Sequence, residues 1–111
     1  GWHVPTLAEW TTLATFLGGV SVAGGKMRSV DASWYSTAGA DNSSGFTALG
    51  AGHRLTYGTA YSDLTIRAFF WAIDAANAGN GNFGYVSYNN TILNLGATDK
   101  HFGMSIRCIK N

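Results

Sequence analysis

The stretch Gly1-Trp2-His3-Val4-Pro5-Thr6-Leu7-Ala8-Glu9-Trp10 decides how the fold begins. Thr6 and Glu9 stand three residues apart, as in a capping box, where the threonine side chain accepts from the Glu9 amide and the glutamate reaches back. Apolar residues then recur with helical spacing, and the Gly18-Gly19 pair supplies a stop. We therefore predict a helix over residues 7–17.

A capped helix with two tryptophans is unusual at the first residues of a domain, because chain ends usually fray. The 111 residues suit one domain with its own core and are too few for two. We expect residues 1–111 to form a single domain that is the C-terminal part of a longer chain.

After the first helix the pattern changes to short segments separated by glycine and asparagine. A second, short helical turn is predicted over residues 22–28, weakened by Gly24-Gly25. Residues 75–82 are predicted to form a loop of small residues. Strands are predicted over residues 46–49, 53–55, 67–73, 84–88, 91–95 and 104–109. This order predicts an α+β fold, with one or two N-terminal helices packed on a twisted antiparallel sheet with long loops.

Composition argues against two classes of partner. Charged residues make up only 12% of the chain, the net charge is +1, and the basic residues are scattered, so no nucleic-acid footprint is expected. No apolar run approaches the ~18 residues of a membrane span. Low charge with 15 glycines is common in secreted and surface proteins.

The motifs for cofactors and catalysis are weak. Gly79-x-Gly81-x-x-Gly84 is followed by strand-like residues, whereas a dinucleotide site needs a helix there. His3, His53 and His101 have no partner at metal-ligand spacing, and there is no GxSxG nucleophile motif. We predict no cofactor, no metal and no enzymatic activity.

Cys108 is the only cysteine and has two interpretations. It is either a small buried hydrophobe in a C-terminal strand or half of a disulfide whose partner lies upstream of Gly1.

The chain is rich in aromatic residues, with four tryptophans, five tyrosines and six phenylalanines. Tyrosines at positions 57, 61, 85 and 88 stand among glycine, serine and asparagine, a composition typical of binding surfaces. An equal alternative is that they merely edge the sheet.

Several separated blocks together resemble the Fibrobacter succinogenes major paralogous domain. They occur in the family's order and cover essentially the whole chain. They are the opening Gly1-Trp2-His3-Val4-Pro5-Thr6-x-x-Glu9-Trp10, then Ser44-Gly45-Phe46-x-Ala48-Leu49, Phe69-Phe70-Trp71-Ala72, and Gly103-Met104-Ser105-Ile106-Arg107-Cys108-Ile109.

The resemblance implies a C-type-lectin-like fold, related to formylglycine-generating enzymes, on secreted or surface-displayed bacterial proteins. It also implies a cysteine shortly before Gly1 that pairs with Cys108. Some proteins of this fold are variable targets of diversity-generating retroelements, with mutable positions in the C-terminal half. This chain departs from the family pattern mostly in that half, as at Ala72-Ile73-Asp74-Ala75. Diversification and ordinary divergence both explain such a departure.

The same resemblance disfavours related activities. Formylglycine-generating relatives hold copper with two cysteines, and this chain has one. Ergothioneine-type relatives hold iron with histidines at a spacing that this chain lacks. Calcium-dependent lectins use a Glu-Pro-Asn type motif, but Pro5 is the only proline.

We therefore interpret the chain as a non-enzymatic recognition domain of an extracellular, cell-surface or virion-surface protein, with a protein or glycan ligand. Framework positions are expected at Trp2, Trp10, Leu13, Leu17, Phe46, Trp71, Ile106 and Cys108, with Arg107 on the other side of the last strand. Exposed ligand contacts are expected at Tyr57, Tyr61, Asp63, Phe70, Ile73, Asp74, Asn77, Asn82, Phe83 and Tyr85.

Two alternatives stay open. The domain could be a structural component of a surface fibre that forms homo-oligomers through exposed aromatic side chains. It could also be a degenerate enzyme of the formylglycine-generating type, an interpretation that a metal bound by His53 or His101 would favour.

Overall fold

A computed structural model describes residues 1–111 and confirms the α+β class. Two helices precede most of the strands: α1 (Leu7–Phe16) and α2 (Val20–Met27). The strands are β1 (Trp2–His3), β2 (Ala51–Arg54), β3 (Tyr61–Leu64), β4 (Arg67–Ala75), β5 (Asn80–Ser87), β6 (Asn94–Asp99) and β7 (Ile109–Lys110).

The main sheet has five strands in the order β3-β2-β4-β5-β6. All neighbours run antiparallel except β2 and β4, which pair in parallel at Gly52 and Ala68. The prediction of an antiparallel sheet is therefore right for three junctions and wrong for one. A separate two-stranded sheet joins β1 to β7, so the first and last residues of the chain lie side by side.

Helix α1 begins at the predicted capping box. The Glu9 amide donates to Thr6 Oγ1 at 3.2 Å, and the Thr6 amide donates to Glu9 Oε2 at 2.8 Å. The helix ends at Phe16, one residue before the predicted end, and Gly18 and Gly19 follow with φ of 105° and 108°, a region that favours glycine. Local sequence thus determines both ends of this element.

Helix α2 is longer than the predicted turn and runs through both of its glycines. A side chain at Gly24 would bring its Cβ within 2.3 Å of the Ile92 carbonyl oxygen. Gly24 therefore lets the segment before β6 lie directly against the helix, and the Leu93 amide donates to the Val20 carbonyl there. Close packing explains why a helix former is not used at this position.

The hydrophobic core lies between the helices and one face of the sheet. It contains Trp10, Ala14, Leu17, Ala23, Met27, Trp34, Ala48, Ala68, Phe70, Ala72, Val86 and Leu93. Arg28 is also fully buried, and its guanidinium donates to the carbonyls of Ser36, Ala38 and Tyr88. Burial lowers the pKa of Arg28 from its usual value. Arg28 therefore ties two long loops to the core.

Several predicted strands differ from the observed ones. Residues 46–49 make only a bridge at Ala48, and residues 104–108 are irregular apart from a bridge between Ser105 and Phe70. The predicted loop over residues 75–82 is wrong in its last part, because β5 begins at Asn80. Strand β6 lies at residues 94–99 rather than 91–95, and β3 was not predicted. The bridges at Ala48 and Ser105 join the distant residues Arg28 and Phe70, which local patterns do not encode. Strands β3 and β6 instead pair with the strand just before them in sequence, and polar residues such as Ser62, Asp63, Asn94 and Thr98 conceal them from a search for apolar segments.

Three expected framework residues are on the surface. Trp2 is 69% exposed, Ile106 is 54% exposed, and Cys108 is exposed, because the chain around them is irregular or belongs to the two-stranded end sheet. Arg107 does not alternate in a strand with its neighbours; it is exposed, and its guanidinium lies 4.5 Å from the Phe46 ring centre. Trp10 and Leu17 are buried as predicted, and Leu13 and Phe46 pack against the core.

Candidate functional site

Strands β4 and β5 present two different faces. Residues 68, 70 and 72 of β4 belong to the core cluster, so the alternate residues Phe69 and Trp71 lie on the other face. Pairing places Tyr85 opposite Phe69 and Phe83 opposite Trp71. We call the side chains of Phe69, Trp71, Phe83 and Tyr85, with His53 and Phe102 beside them, the outer face.

The rings of the outer face are in mutual contact. Phe83 and Tyr85 stack with centroids 5.9 Å apart, and Phe69 stacks on Tyr85 at 5.3 Å. Trp71 meets Phe83 edge to face at 6.4 Å. The His53 ring lies 4.5 Å from Phe69. These offset and edge-on arrangements are favourable for aromatic pairs, so the rings support one another in fixed positions.

The outer face is partly open. Phe69 is buried, but Trp71, Phe83 and Tyr85 are half-buried. Glycines stand beside the rings, with Gly81 under the Trp71 ring and Gly96 opposite Phe83. A hollow of about 220 Å³ lies between Trp71, Ile73, Gly81 and Lys100, and a smaller one of about 100 Å³ borders Phe69 and Phe83. Both hollows are smaller than the roughly 300–1,000 Å³ of a typical small-molecule pocket. The outer face therefore offers partly exposed aromatic surface to a ligand rather than a deep pocket.

Charged groups lie at both ends of the outer face. At one end, Arg67 pairs with Asp63 at 3.0 Å and stands over the Tyr85 ring at 5.8 Å. At the other end, Asp99 accepts from the backbone amide and the ring of His101. These hydrogen bonds, the backbone bond first, hold the pKa of Asp99 below its usual value.

The ten predicted contact residues divide by exposure. Tyr57, Tyr61, Ile73 and Asn77 are exposed as expected, and Asp63, Asp74, Phe83 and Tyr85 are half-buried. Phe70 and Asn82 are buried, with exposed fractions of 7% and 8%, so their predicted exposure is wrong. Of the ten, only Phe83 and Tyr85 meet on the outer face itself, while Asp63 reaches its charged end through Arg67.

Phe70 is buried because it follows the period of the strand. It alternates with Phe69 and Trp71 and packs against Trp10 at 5.7 Å and Phe46 at 5.4 Å. Its function is to join α1 to the sheet.

Three of the predicted polar contacts are engaged within the protein. Asp74 accepts from the Leu7 amide at 2.7 Å, at the start of α1, and from the Asn82 side chain at 3.1 Å. Asn77 accepts from the Gly79 and Asn80 amides and forms the turn before β5. These side chains hold elements together.

Tyr57 and Tyr61 lie away from the outer rings. Tyr57 stacks on His101 at 6.1 Å, and Tyr61 is 76% exposed on β3, where it pairs with Arg54. Neither contacts Phe83 or Tyr85 in the ring cluster.

Sequence reasoning missed four members of the outer face, and it assigned one of them, Trp71, to the framework, although Trp71 is half-buried on this face. Phe69 and Trp71 could have been assigned to it from strict alternation with Phe70 and Ala72, because one of the two sets must face the core. His53 and Phe102 gave no such signal, since their ring contact at 5.4 Å joins segments almost fifty residues apart.

The ionisable residues offer little for metal chemistry. No three His, Cys, Asp or Glu side chains come together in an arrangement that could hold a metal ion. His53 Nδ1 has only Asp63 nearby, at 3.8 Å.

Cys108 is a free, exposed thiol, so the interpretation as a buried hydrophobe is wrong. Its disulfide with an upstream cysteine stays a prediction. Neither helix has the length and apolar character of a membrane crossing.

Comparison with known proteins agrees with the blocks quoted from the sequence. Searches among curated proteins and solved structures found no match. The sequence-family model for the Fibrobacter succinogenes major domain matches residues 1–110. The chain therefore belongs to the Fibrobacter succinogenes major domain family.

Proposed function

We propose that this domain recognises a protein or glycan ligand, without catalysing a reaction, through its outer face. The observation that carries the proposal is the contact cluster of Trp71, Phe83 and Tyr85, which stay half-exposed although they stand on central strands. Rigid aromatic side chains give large contact area at low entropic cost. A ligand that covers these rings removes their remaining apolar surface from water, which favours binding.

The surroundings of the rings support the same function. The sheet holds the ring positions through backbone pairing, so little ordering is required on binding. Lys100, Arg67 and Asn94 border the rings and can supply polar selectivity. We place the domain, with a C-type-lectin-like fold, in a secreted, cell-surface or virion-surface protein. Among such proteins, retroelement-diversified ones would vary at these outer positions between copies of the gene.

The test uses immobilised polysaccharides and immobilised extracellular proteins as probes. We expect the wild-type domain to bind at least one of them. The double variant Trp71→Ala/Phe83→Ala should then weaken binding by tenfold or more, because it removes the central rings. Tyr35→Ala is the matched control, since Tyr35 is 74% exposed outside this cluster. Undiminished binding by the double variant would contradict the proposal.

A second candidate function is assembly into a fibre, and it rests on the edge strand β3. This strand exposes Tyr61 and Leu64, at 76% and 71%, beside an unpaired backbone edge. Such edges are ready to pair with another chain. Light scattering after size exclusion would then give an oligomer that Tyr61→Lys converts to a monomer, whereas a monomeric wild type excludes this function.

A further inference from the structure

The register shift in strand β4 lies at the larger hollow of the outer face. The strands pair at Trp71 and next at Ala75, yet these four steps along β4 correspond to only two along β5. A bulge of this kind bends the strand and re-aims its side chains. The hollow beside it has a volume of about 220 Å³. Since a water molecule takes about 30 Å³ of the liquid, the hollow can hold one sugar-sized ring and no larger body.

Two apolar side chains on the outer side of β4 flank the hollow. Trp71 is half-buried, and Ile73, two residues further on, is 65% exposed. The six-membered ring of the indole lies over Gly81, where a Cβ would come within 2.9 Å of it. The absence of a side chain at Gly81 therefore lets the indole lie against β5. A ring-shaped ligand with an apolar face can lie beside the indole and Ile73.

Lys100 places an unpaired positive charge at the same hollow. Its ammonium donates to the Ala78 carbonyl at 3.1 Å and forms no ion pair with a carboxylate of the chain. This bond holds the ammonium in place and leaves two of its three donors free. Asp74 also borders the hollow, but its oxygens are engaged by the Leu7 amide and the Asn82 side chain. The charged group left free at the hollow is thus a cation.

We propose that this hollow binds a hexuronate residue of an acidic polysaccharide. The inference rests on the proposed function of the outer face and names its ligand class. A hexuronate ring has an apolar face of C–H groups, which lies against Trp71, and a carboxylate, which accepts from Lys100. A protein ligand would have to cover roughly 800 Å² of the domain, whereas one sugar ring needs only the hollow.

Immobilised polygalacturonate, alginate and hyaluronate are the probes, because each contains hexuronate residues. We expect the domain to bind at least one of them. The free uronate monomer of that polymer should then release the domain, and the corresponding neutral hexose should not. The two competitors differ only at C6, where the uronate has a carboxylate and the hexose a hydroxymethyl group, so the comparison isolates the charge.

Two variants assign the binding to the hollow. Lys100→Gln should weaken binding by about threefold to tenfold, the effect of one exposed charged hydrogen bond. Lys110→Gln is the matched control, because it removes the same charge from an exposed position on β7 and should bind as wild type. Trp71→Ala should weaken binding by tenfold or more, because it removes the wall on which the sugar ring lies.

Polyglutamate, which has the charge without the sugar ring, completes the set of probes. The inference is overturned if no uronate polymer binds, if polyglutamate binds equally well, if the neutral hexose competes equally, or if Lys100→Gln binds as wild type. Binding of another probe that needs Trp71 and Phe83 but not Lys100 would remove the hexuronate assignment and leave the proposed function standing. If no polysaccharide or extracellular protein binds through Trp71 and Phe83, the proposed function fails as well.

Discussion

The two faces of strands β4 and β5 carry aromatic residues that differ in burial. On the core face, Phe70 is enclosed by Trp10 and Phe46 and flanked by alanines at positions 68 and 72. On the outer face, Trp71, Phe83 and Tyr85 contact one another and remain half-exposed. The core face is covered by α1, whereas the rings of the outer face contact only one another and their neighbours on the same face.

This difference teaches that aromatic content alone does not locate a binding surface. The core face has a large ring at Phe70, where α1 supplies Trp10 as its partner, and alanines at positions 68 and 72. The outer face has glycines at Gly81 and Gly96, where side chains would cover the rings. The outer rings are therefore exposed for two reasons. The strand period points them away from the core, and the neighbouring glycines have no side chains to cover them.

The largest effect is expected from truncating the core-face ring. Phe70→Ala removes contacts with two other aromatic side chains and leaves a cavity, so we expect a loss of about 3–5 kcal/mol in the free energy of unfolding. Phe83→Ala on the outer face should cost only about 1 kcal/mol, because the ring is already half in water. Denaturant unfolding of both variants measures the difference. Equal losses would show that the outer face is a second core.

A smaller effect is expected at Asp74, which joins β4 to the start of α1. Asp74→Ala leaves the Leu7 amide and the Asn82 side chain without their acceptor, and we expect a loss of about 2 kcal/mol. Asp74→Asn is the matched control, because it keeps an oxygen for the Leu7 amide and should lose about half as much. Unfolding by denaturant is the measurement. An unchanged stability in Asp74→Ala would mean that this carboxylate is free for a ligand after all.

A substitution at a neighbouring glycine can change the orientation of the Trp71 ring without removing the ring. A Cβ at Gly81 would lie 2.9 Å from the Trp71 ring, so Gly81→Ala should displace the indole and cost about 1–2 kcal/mol. A Cβ at Gly96 would meet Phe83 at an ordinary 3.7 Å, so Gly96→Ala is a matched control with a smaller cost. Near-ultraviolet circular dichroism should change in Gly81→Ala only. The same spectral change in both variants would contradict the specific contact.

The parts of the fold that the sequence predicted are those with local causes. The capping box and two glycines predict α1, and short apolar segments bounded by glycine and asparagine predict most of β4 and the second half of β5. The position of Ser105 on the edge of β4, the parallel pairing of β2 with β4 and the burial of Arg28 all join distant segments. No local pattern indicates them, because they depend on which backbone groups remain free after the first elements form.

The candidate site was also predicted only in part from the sequence. Phe83 and Tyr85 were found from their composition, but Phe70 and Asn82 were assigned to the wrong face because alternation was not applied to them. Strict alternation through residues 68–72 would have exchanged Phe70 for Trp71. The same alternation would have placed Asp74 with Phe70 and Ala72 on the side of α1, where it accepts from the Leu7 amide.

The smallest expected effect is a pH dependence at the joined chain ends. His3 bonds to Asn111 and to Glu9, and these contacts, Asn111 first, raise the pKa of His3 above 6.5. The folded state therefore favours the protonated imidazole. This contribution to stability is fully present below about pH 6.5 and is lost as the pH rises through the folded pKa. The pKa of Glu9 is lowered, first by the Thr6 amide, so its contribution exists above pH 4.5 and is lost on acidification.

Between these limits, at about pH 5–6, both groups support the junction of β1, β7 and α1. Unfolding measured from pH 5 to pH 8 should therefore give a stability that declines gently toward the alkaline side, and His3→Gln should flatten this decline. His101→Gln is the matched control, because His101 lies in an exposed turn at the end of the outer face. If His101→Gln flattens the profile and His3→Gln does not, the pH-sensitive contact belongs to the outer face, and the assignment to the chain ends is wrong.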